Sequence, residues 1–144
     1  MKKENLLISA CLLGVPCRYD GKSKYYPEIE SLKEKYNLIP VCPEIYGGLT
    51  TPRMPSERVG DSVIMADGKD VTENYIRGAE AAYRIFCECD CKFAVLKAKS
   101  PSCGKDKIYD GSFSGTLSER SGVTAEYLIS KGIKVYSEEE LEDL

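Results

Sequence analysis

Histidine is missing from this 144-residue chain, and so is tryptophan. Without imidazole the commonest general base is gone, along with the zinc ligand sets that contain it and every cysteine–histidine nucleophile pair. Acid–base chemistry must fall to Glu, Asp, Lys, Tyr or Cys. A strong net charge is missing too: the formal balance is -3, which argues against a binder that relies on phosphate contacts along a large nucleic acid. No run approaches the roughly 20 apolar residues of a membrane span. The ISAC that ends at Cys11 resembles a lipoprotein cleavage box. The apolar stretch ahead of that cysteine, Leu6 to Ala10, is however shorter than the roughly 7–15 residues of a signal core, and a first β-strand is the expected reading.

Cysteine, by contrast, is plentiful. The seven are Cys11, Cys17, Cys42, Cys87, Cys89, Cys91 and Cys103. An odd number in a mid-sized chain makes a poor disulfide framework. It suits a reducing compartment, hence a cytoplasmic protein, with some thiols serving as ligands or catalytic groups. The apolar content of 42% and charged content of 30% describe a globular chain, and its length fits one domain spanning residues 1–144. The acids crowd at the end, in SEEELEDL.

LLISACLL (6–13) is a continuous apolar run, the pattern of a strand buried on both faces. PEIESLKEKY (27–36) has helical spacing, with Pro27 suited to a first turn. LIPVC (38–42) is a second buried strand. Residues 43–61 hold prolines and glycines without a period, so a loop that covers a pocket is expected there. SVIMADGKDVT (62–72) reads as a hairpin turning at Asp67-Gly68. Thr72 can cap a helix whose apolar stripe is Tyr75, Ile76, Ala79, Tyr83 and Phe86. FAVLKA (93–98) is the third strand, 108–122 a loop, VTAEYLISKG (123–132) a short helix and IKVYS (133–137) the last strand. SEEE (137–140) can form a capping box. The alternation predicts an α/β fold: a Rossmann-like or flavodoxin-like parallel sheet of about four strands flanked by helices, plus a small hairpin.

Three cysteines fall at equivalent places in that plan. Cys11 lies late in strand one, Cys42 at the end of strand two and Cys103 just past strand three. All carboxyl ends of a parallel sheet share one edge, and ligands bind in the crevice there. Any one of these thiols alone would read as a small buried apolar side chain; three at matching positions point to a metal or cluster site. Thiolates without histidine suit zinc, copper(I) or an iron–sulfur cluster. Three ligands leave a coordination position open for chemistry; a fourth, from Cys17, would close it. Cys87, Cys89 and Cys91 form CECDC, which should enter strand three from the opposite edge and pack against the core.

Glu44, two residues after Cys42, is the best candidate general base, with a capping or salt-bridging glutamate as the rival reading. Ser100 and Ser102 flank Pro101 and can cap a turn or hydrogen-bond a ligand. Lys97, Lys99, Lys105 and Lys107 surround the third cysteine and can steer an anion.

The motifs SACLLGVPCRYDG (9–21), PVCPEIYGGLTTPR (40–53), DVTENYIRGAE (70–80), LKAKSPSCG (96–104), IYDGSFSG (108–115) and GVTAEYL (122–128) run through nearly the whole chain. In that order and identity the chain resembles the thiouracil desulfidase family. The resemblance implies a [4Fe-4S] cluster held by Cys11, Cys42 and Cys103, with one iron not bound by protein. It also implies non-redox removal of sulfur from a thiolated pyrimidine, with water adding at the carbon aided by Glu44 and Ser100. Relatives that act on tRNA carry a fusion partner domain that is missing here. With the acidic balance, this makes a free base or nucleoside the expected substrate rather than a large nucleic acid, with no membrane partner and a monomer or dimer as the assembly. Arg18, Asp20, Arg53, Ser102 and Lys99 are the candidate substrate-binding residues. Two rivals remain at this point: a redox or cluster-sensing protein closed by Cys17, and a zinc-stabilised nucleotide-binding module whose ligand meets Arg18, Asp20, Arg53 and the 111–124 loop.

Overall fold

The computed structural model of the chain describes residues 2–144. In chain order it contains β1 (Glu4–Ser9), a 3₁₀ turn (Ala10–Leu13), a 3₁₀ segment (Pro27–Glu34), β2 (Tyr36–Val41) and the one-turn α1 (Pro43–Tyr46). β3 (Ser56–Val59), β4 (Ser62–Met65), α2 (Thr72–Glu88) and β5 (Cys91–Leu96) follow. The chain closes with β6 (Ile108–Tyr109), β7 (Leu117–Ser118), α3 (Val123–Ser130), β8 (Val135–Ser137) and a final 3₁₀ segment (Glu138–Asp143).

The main sheet has the order β2-β1-β5-β8, every neighbouring pair parallel. This is the doubly wound, flavodoxin-like arrangement, whose winding reverses between β1 and β5. Both faces are covered, which is why β1 reads as unbroken apolar sequence. On one face Leu7, Ala94 and Leu96 pack with Ala82 of α2 and Leu128 of α3. On the other, Leu6, Ile8 and Val95 pack with Ile29 and Leu32 of the Pro27–Glu34 segment. Leu6, Leu7 and Ile8 are fully buried, each stabilising by roughly 1.5–3 kcal/mol relative to exposure. β2 lies at the sheet edge, where Pro40 costs no central ladder bond.

Several boundaries differ from the sequence expectation. β1 ends at Ser9, and the buried residues Ala10, Cys11 and Leu12 form a 3₁₀ turn closed by Gly14 at φ 96°. The apolar run reports burial there, not extended backbone. Residues 27–34 are 3₁₀ rather than α, and Tyr36 opens β2 instead of ending a helix. The hairpin expected at Asp67-Gly68 is present: Met65 N–H donates to the Lys69 carbonyl at 2.8 Å, Val71 N–H to the Val63 carbonyl at 2.9 Å, and Ile64 bridges Asp70 antiparallel. β3 adds a second, unexpected hairpin by pairing with β4, turning between Val59 and Ser62. Thr72 does not cap α2, because Val71 holds that position; the Thr72 hydroxyl instead accepts from Val63 N–H at 2.9 Å, tying α2 to β4. The segments expected as loops contain α1 and β3 in one case and the β6–β7 ladder in the other. The capping box at Ser137 and Glu140 forms as expected.

α1 and α2 meet backbone to backbone. A Cβ added to Gly47 would lie 2.0 Å from the Asn74 carbonyl oxygen, and one added to Gly78 would lie 2.0 Å from the Pro43 carbonyl oxygen. Asn74 seals the contact by donating from Nδ2 to the Gly47 carbonyl at 2.9 Å. The close approach fixes the sign of one substitution. Glycine inside a helix normally costs about 0.5–1 kcal/mol against alanine, so propensity alone makes Gly78→Ala stabilising. Overpacking costs typically about 1–3 kcal/mol and should outweigh it. Urea denaturation is expected to show a lower midpoint for Gly78→Ala; a raised midpoint would mean that α1 and α2 are not in contact.

Candidate active site at the carboxyl edge of the sheet

The strand order puts three loop openings side by side. Cys11 sits two residues past the end of β1, Cys42 directly follows β2 as the residue before α1, and Cys103 lies in the loop after β5. Because β2, β1 and β5 are neighbours, all three thiols line one cavity of about 530 Å³, within the roughly 300–1,000 Å³ of small-ligand pockets. Glu44, Arg53, Lys97, Lys99 and Ser100 line it as well. The segment after α1 covers it, contributing Arg53, Pro55, Ser56 and Glu57.

The loop holding Cys103 is tightly built. The Ser100 hydroxyl accepts from the backbone N–H of both Ser102 and Cys103 at 3.1 Å, and Gly104 N–H donates to the Ser100 carbonyl at 2.8 Å. The turn is then docked on the start of α3, where Thr124 N–H donates to the Ser102 carbonyl at 2.8 Å. Ser102 and Thr124 share a buried hydroxyl pair at 2.8 Å. Ser102 thus serves the docking and does not line the cavity. Ser100 does line it. With its oxygen accepting twice, its own O–H has no acceptor among the described residues and remains available to a ligand.

Electrostatics tie the thiols together. Burial pushes the Cys11 thiol up to about 11, the charge of Cys42 adds to the rise, and Lys97 and Arg18 oppose it. Burial also pushes Cys103 up, against a hydrogen bond with Ser9; Glu44, Cys11 and Cys42 raise it further. Cys42 is lowered, first by a hydrogen bond from Cys17 and then by the Ile45 backbone. Cys17, its partner in that bond, is raised. Cys42 Sγ also reaches the Cys17 carbonyl at 3.9 Å. Among the described residues no three potential ligands converge tightly enough to hold a single metal ion. A cubane cluster asks for something else, since its thiolates bind different irons around its periphery. Three thiols around one cavity, two buried and that of Cys42 half-buried, mutually repulsive once ionised and without imidazole, fit such a group.

Glu44 is held rather than free. Tyr75 donates its hydroxyl to Oε2 at 2.8 Å, and Arg53 Nη2 lies 3.2 Å from the same oxygen. The Arg53 side chain is only 4% exposed. Its Nη1 donates to the Thr50 carbonyl at 3.1 Å and the Thr51 hydroxyl at 3.2 Å. Lys97 is spoken for as well, 3.1 Å from the buried carboxylate of Glu138.

Of the candidate ligand-contacting residues, Arg18, Arg53 and Lys99 line the cavity with Glu44 and Ser100. Asp20 does not; it lies exposed and pairs with Arg18 at 3.5 Å. Lys105 points away to Glu140 at 3.0 Å. The CECDC tract lies at the end of α2 and the start of β5, on the opposite edge, with Cys91 buried in the core and Cys87 exposed. Cys87 is in α2, which ends at Glu88, and Cys91 opens β5. Sequence reasoning missed Tyr75, taken as one more apolar stripe residue. The available signal was its hydroxyl, which needs a partner when the ring is buried.

The chain is similar to known proteins along nearly its whole length. The sequence model of the 2-thiouracil desulfurase family matches residues 6–140. The uncharacterized protein YbbK of Bacillus subtilis (strain 168) is 39% identical over 149 residues, covering 96% of this chain and 99% of that protein. A solved structure of TudS, a [4Fe-4S]-dependent thiouracil desulfidase, superposes with a TM-score of 0.91 at 42% identity, covering 99% of this chain and 95% of the other. With the match running from β1 into the final 3₁₀ segment, this chain belongs to the 2-thiouracil desulfurase family.

Proposed function

We propose that this protein is a [4Fe-4S]-dependent desulfidase that exchanges the sulfur of a thiolated pyrimidine, thiouracil or thiouridine, for the oxygen of water. The observation that carries the reading is the meeting of three thiols, a carboxylate and a hydroxyl in one cavity of a chain so similar to TudS. The reaction balances without a redox partner: the thione and water give the ring carbonyl, hydrosulfide and a proton.

Cys11, Cys42 and Cys103 would hold the cluster, leaving one iron without a protein ligand. Cys17 is read as lying outside the ligand set, as a neighbour of Cys42 whose carbonyl meets Cys42 Sγ at 3.9 Å. When bound, the cluster supplies a thiophilic Lewis acid that draws the thione sulfur and polarises the carbon–sulfur bond. Glu44 takes a proton from the water that adds at the ring carbon. Ser100, whose O–H is unspent, donates to the oxygen that arrives there. Arg18 and Lys99 present donors to the polar edge of the ring, while the exposed rings of Tyr109 and Phe113 at the cavity wall offer flat apolar faces to a planar base. Asp20 acts through Arg18, and Ser102 through the turn that carries Cys103. A cavity of this size and a balance of -3 suit a free base or nucleoside, and a thiol-based site suits a reducing cytoplasm.

Anaerobic reconstitution followed by iron analysis tests the ligand set. Cys103→Ser is expected to lose most of the bound iron and all sulfide release from 4-thiouracil. Cys17→Ser, which leaves the backbone carbonyl that meets Cys42 Sγ in place, should keep both. Iron lost in Cys17→Ser would instead mean a cluster closed by four thiols and a non-catalytic role.

Glu44→Ala tests the base. General acid–base groups contribute roughly 10²–10⁴-fold, so sulfide release should fall about 100-fold or more with iron content unchanged. Release within a few-fold of the parent would remove Glu44 from the mechanism.

A further inference from the structure

The two donors on Glu44 meet at a single oxygen. Tyr75 Oη lies 2.8 Å from Oε2 and Arg53 Nη2 lies 3.2 Å from it. Oε1 has no hydrogen-bond partner among the described residues, although the side chain is 16% exposed at the cavity wall. Two donors from separate segments converging on one carboxylate oxygen fix the rotamer and make the two oxygens unequal.

Both donors are anchored far from the reacting atoms. Tyr75 projects from α2 and is 1% exposed, and α2 is set against α1 by the Gly47–Asn74 and Gly78–Pro43 backbone contacts. Arg53 is fixed by Thr50 and Thr51 at its guanidinium, and its backbone N–H donates to the Tyr19 carbonyl at 2.8 Å. Charge-assisted bonds of this kind are roughly twice as strong as neutral ones, and with the Arg53 and Tyr75 side chains buried they are little screened.

We infer that Tyr75 and Arg53 are positioning residues for the desulfidation base: they occupy Oε2 so that Oε1 alone faces the cavity and accepts the water proton. This rests on the reading of Glu44 as the base. A carboxylate free to turn would present either oxygen in several orientations, and misplacement of a reacting group by about 1 Å can cost on the order of 100-fold.

The test is a double-mutant cycle on the anaerobically reconstituted protein, using sulfide release from 4-thiouracil with kcat and KM separated. Tyr75→Phe removes one hydroxyl and keeps the ring. It is expected to lower kcat about tenfold while KM stays within about twofold and iron content is unchanged. Placed on Glu44→Ala, it should lower the residual rate no further, because groups acting as a unit are non-additive. A second readout needs no turnover: crystals of the cluster-free protein should show one Glu44 rotamer in the parent and more than one in Tyr75→Phe. Arg53→Ala should lose at least as much kcat as Tyr75→Phe and regain part of it with millimolar guanidinium. An unchanged kcat in Tyr75→Phe, or an equal loss on both backgrounds, overturns the positioning role. If the parent itself releases no sulfide, the proposed function fails and the rotamer comparison still decides whether the two donors fix the carboxylate.

Discussion

Thiols that share one largely buried cavity would repel one another and lose their hydration if they ionised, and the structure around them bears on that cost. Burial and the charge of Cys42 drive Cys11 up to about 11, and Cys103 rises for the same reasons. Flexible loops would let such thiols drift apart. Here Cys11 and Cys42 follow closely on adjacent strands fixed by parallel ladders, and Cys103 is held in a turn closed by Ser100 and docked on α3, so sheet and turn together set the separation of the thiols. A cationic group bound among them would reverse the sign of the interaction, turning mutual repulsion into shared attraction. Conversely, whatever loosens the strand ends should loosen the hold on that group.

Around the thiols, charge is placed in pairs. Arg53 meets Glu44, Lys97 meets Glu138, and Arg18 meets Asp20. Glu138 is 6% exposed and also receives Ala98 N–H at 2.7 Å, so the final 3₁₀ segment helps fix the loop that leaves β5. Lys105 and Glu140 make a similar tie at 3.0 Å. The acidic end of the chain is therefore part of the scaffold behind the site rather than a solvated tail. The α1–α2 contact does comparable work on the other side, bringing Tyr75 onto the carboxylate that follows Cys42.

Much of this was legible in the sequence, because the signals were the kind that burial writes directly. The four parallel strands show as apolar runs, and the position of Cys11, Cys42 and Cys103 after three of them implied their convergence before any coordinates. What was not legible depended on backbone conformation within buried segments. The run 6–13 is apolar throughout, yet only its first part is strand, since hydrophobicity cannot distinguish a buried 3₁₀ turn from a buried strand. Ser102 looked like a ligand contact because it sits beside Cys103; its pairing with Thr124 spans 22 residues of sequence and leaves no local trace. Tyr75 was hidden for the opposite reason, a polar atom carried on a residue that fits an apolar stripe. The short β6–β7 ladder is too brief to impose a period.

The central claim is that a cluster held by three of these thiols keeps one iron for a guest. Mössbauer spectroscopy of anaerobically reconstituted protein, enriched with ⁵⁷Fe and recorded before and after addition of 4-thiouracil, addresses it most directly. The account predicts that a single iron subsite changes its isomer shift and quadrupole splitting when the thiolated base is added, while the remaining subsites keep theirs. A spectrum that is unchanged by the base, with all irons equivalent to thiolate-bound sites, would contradict it.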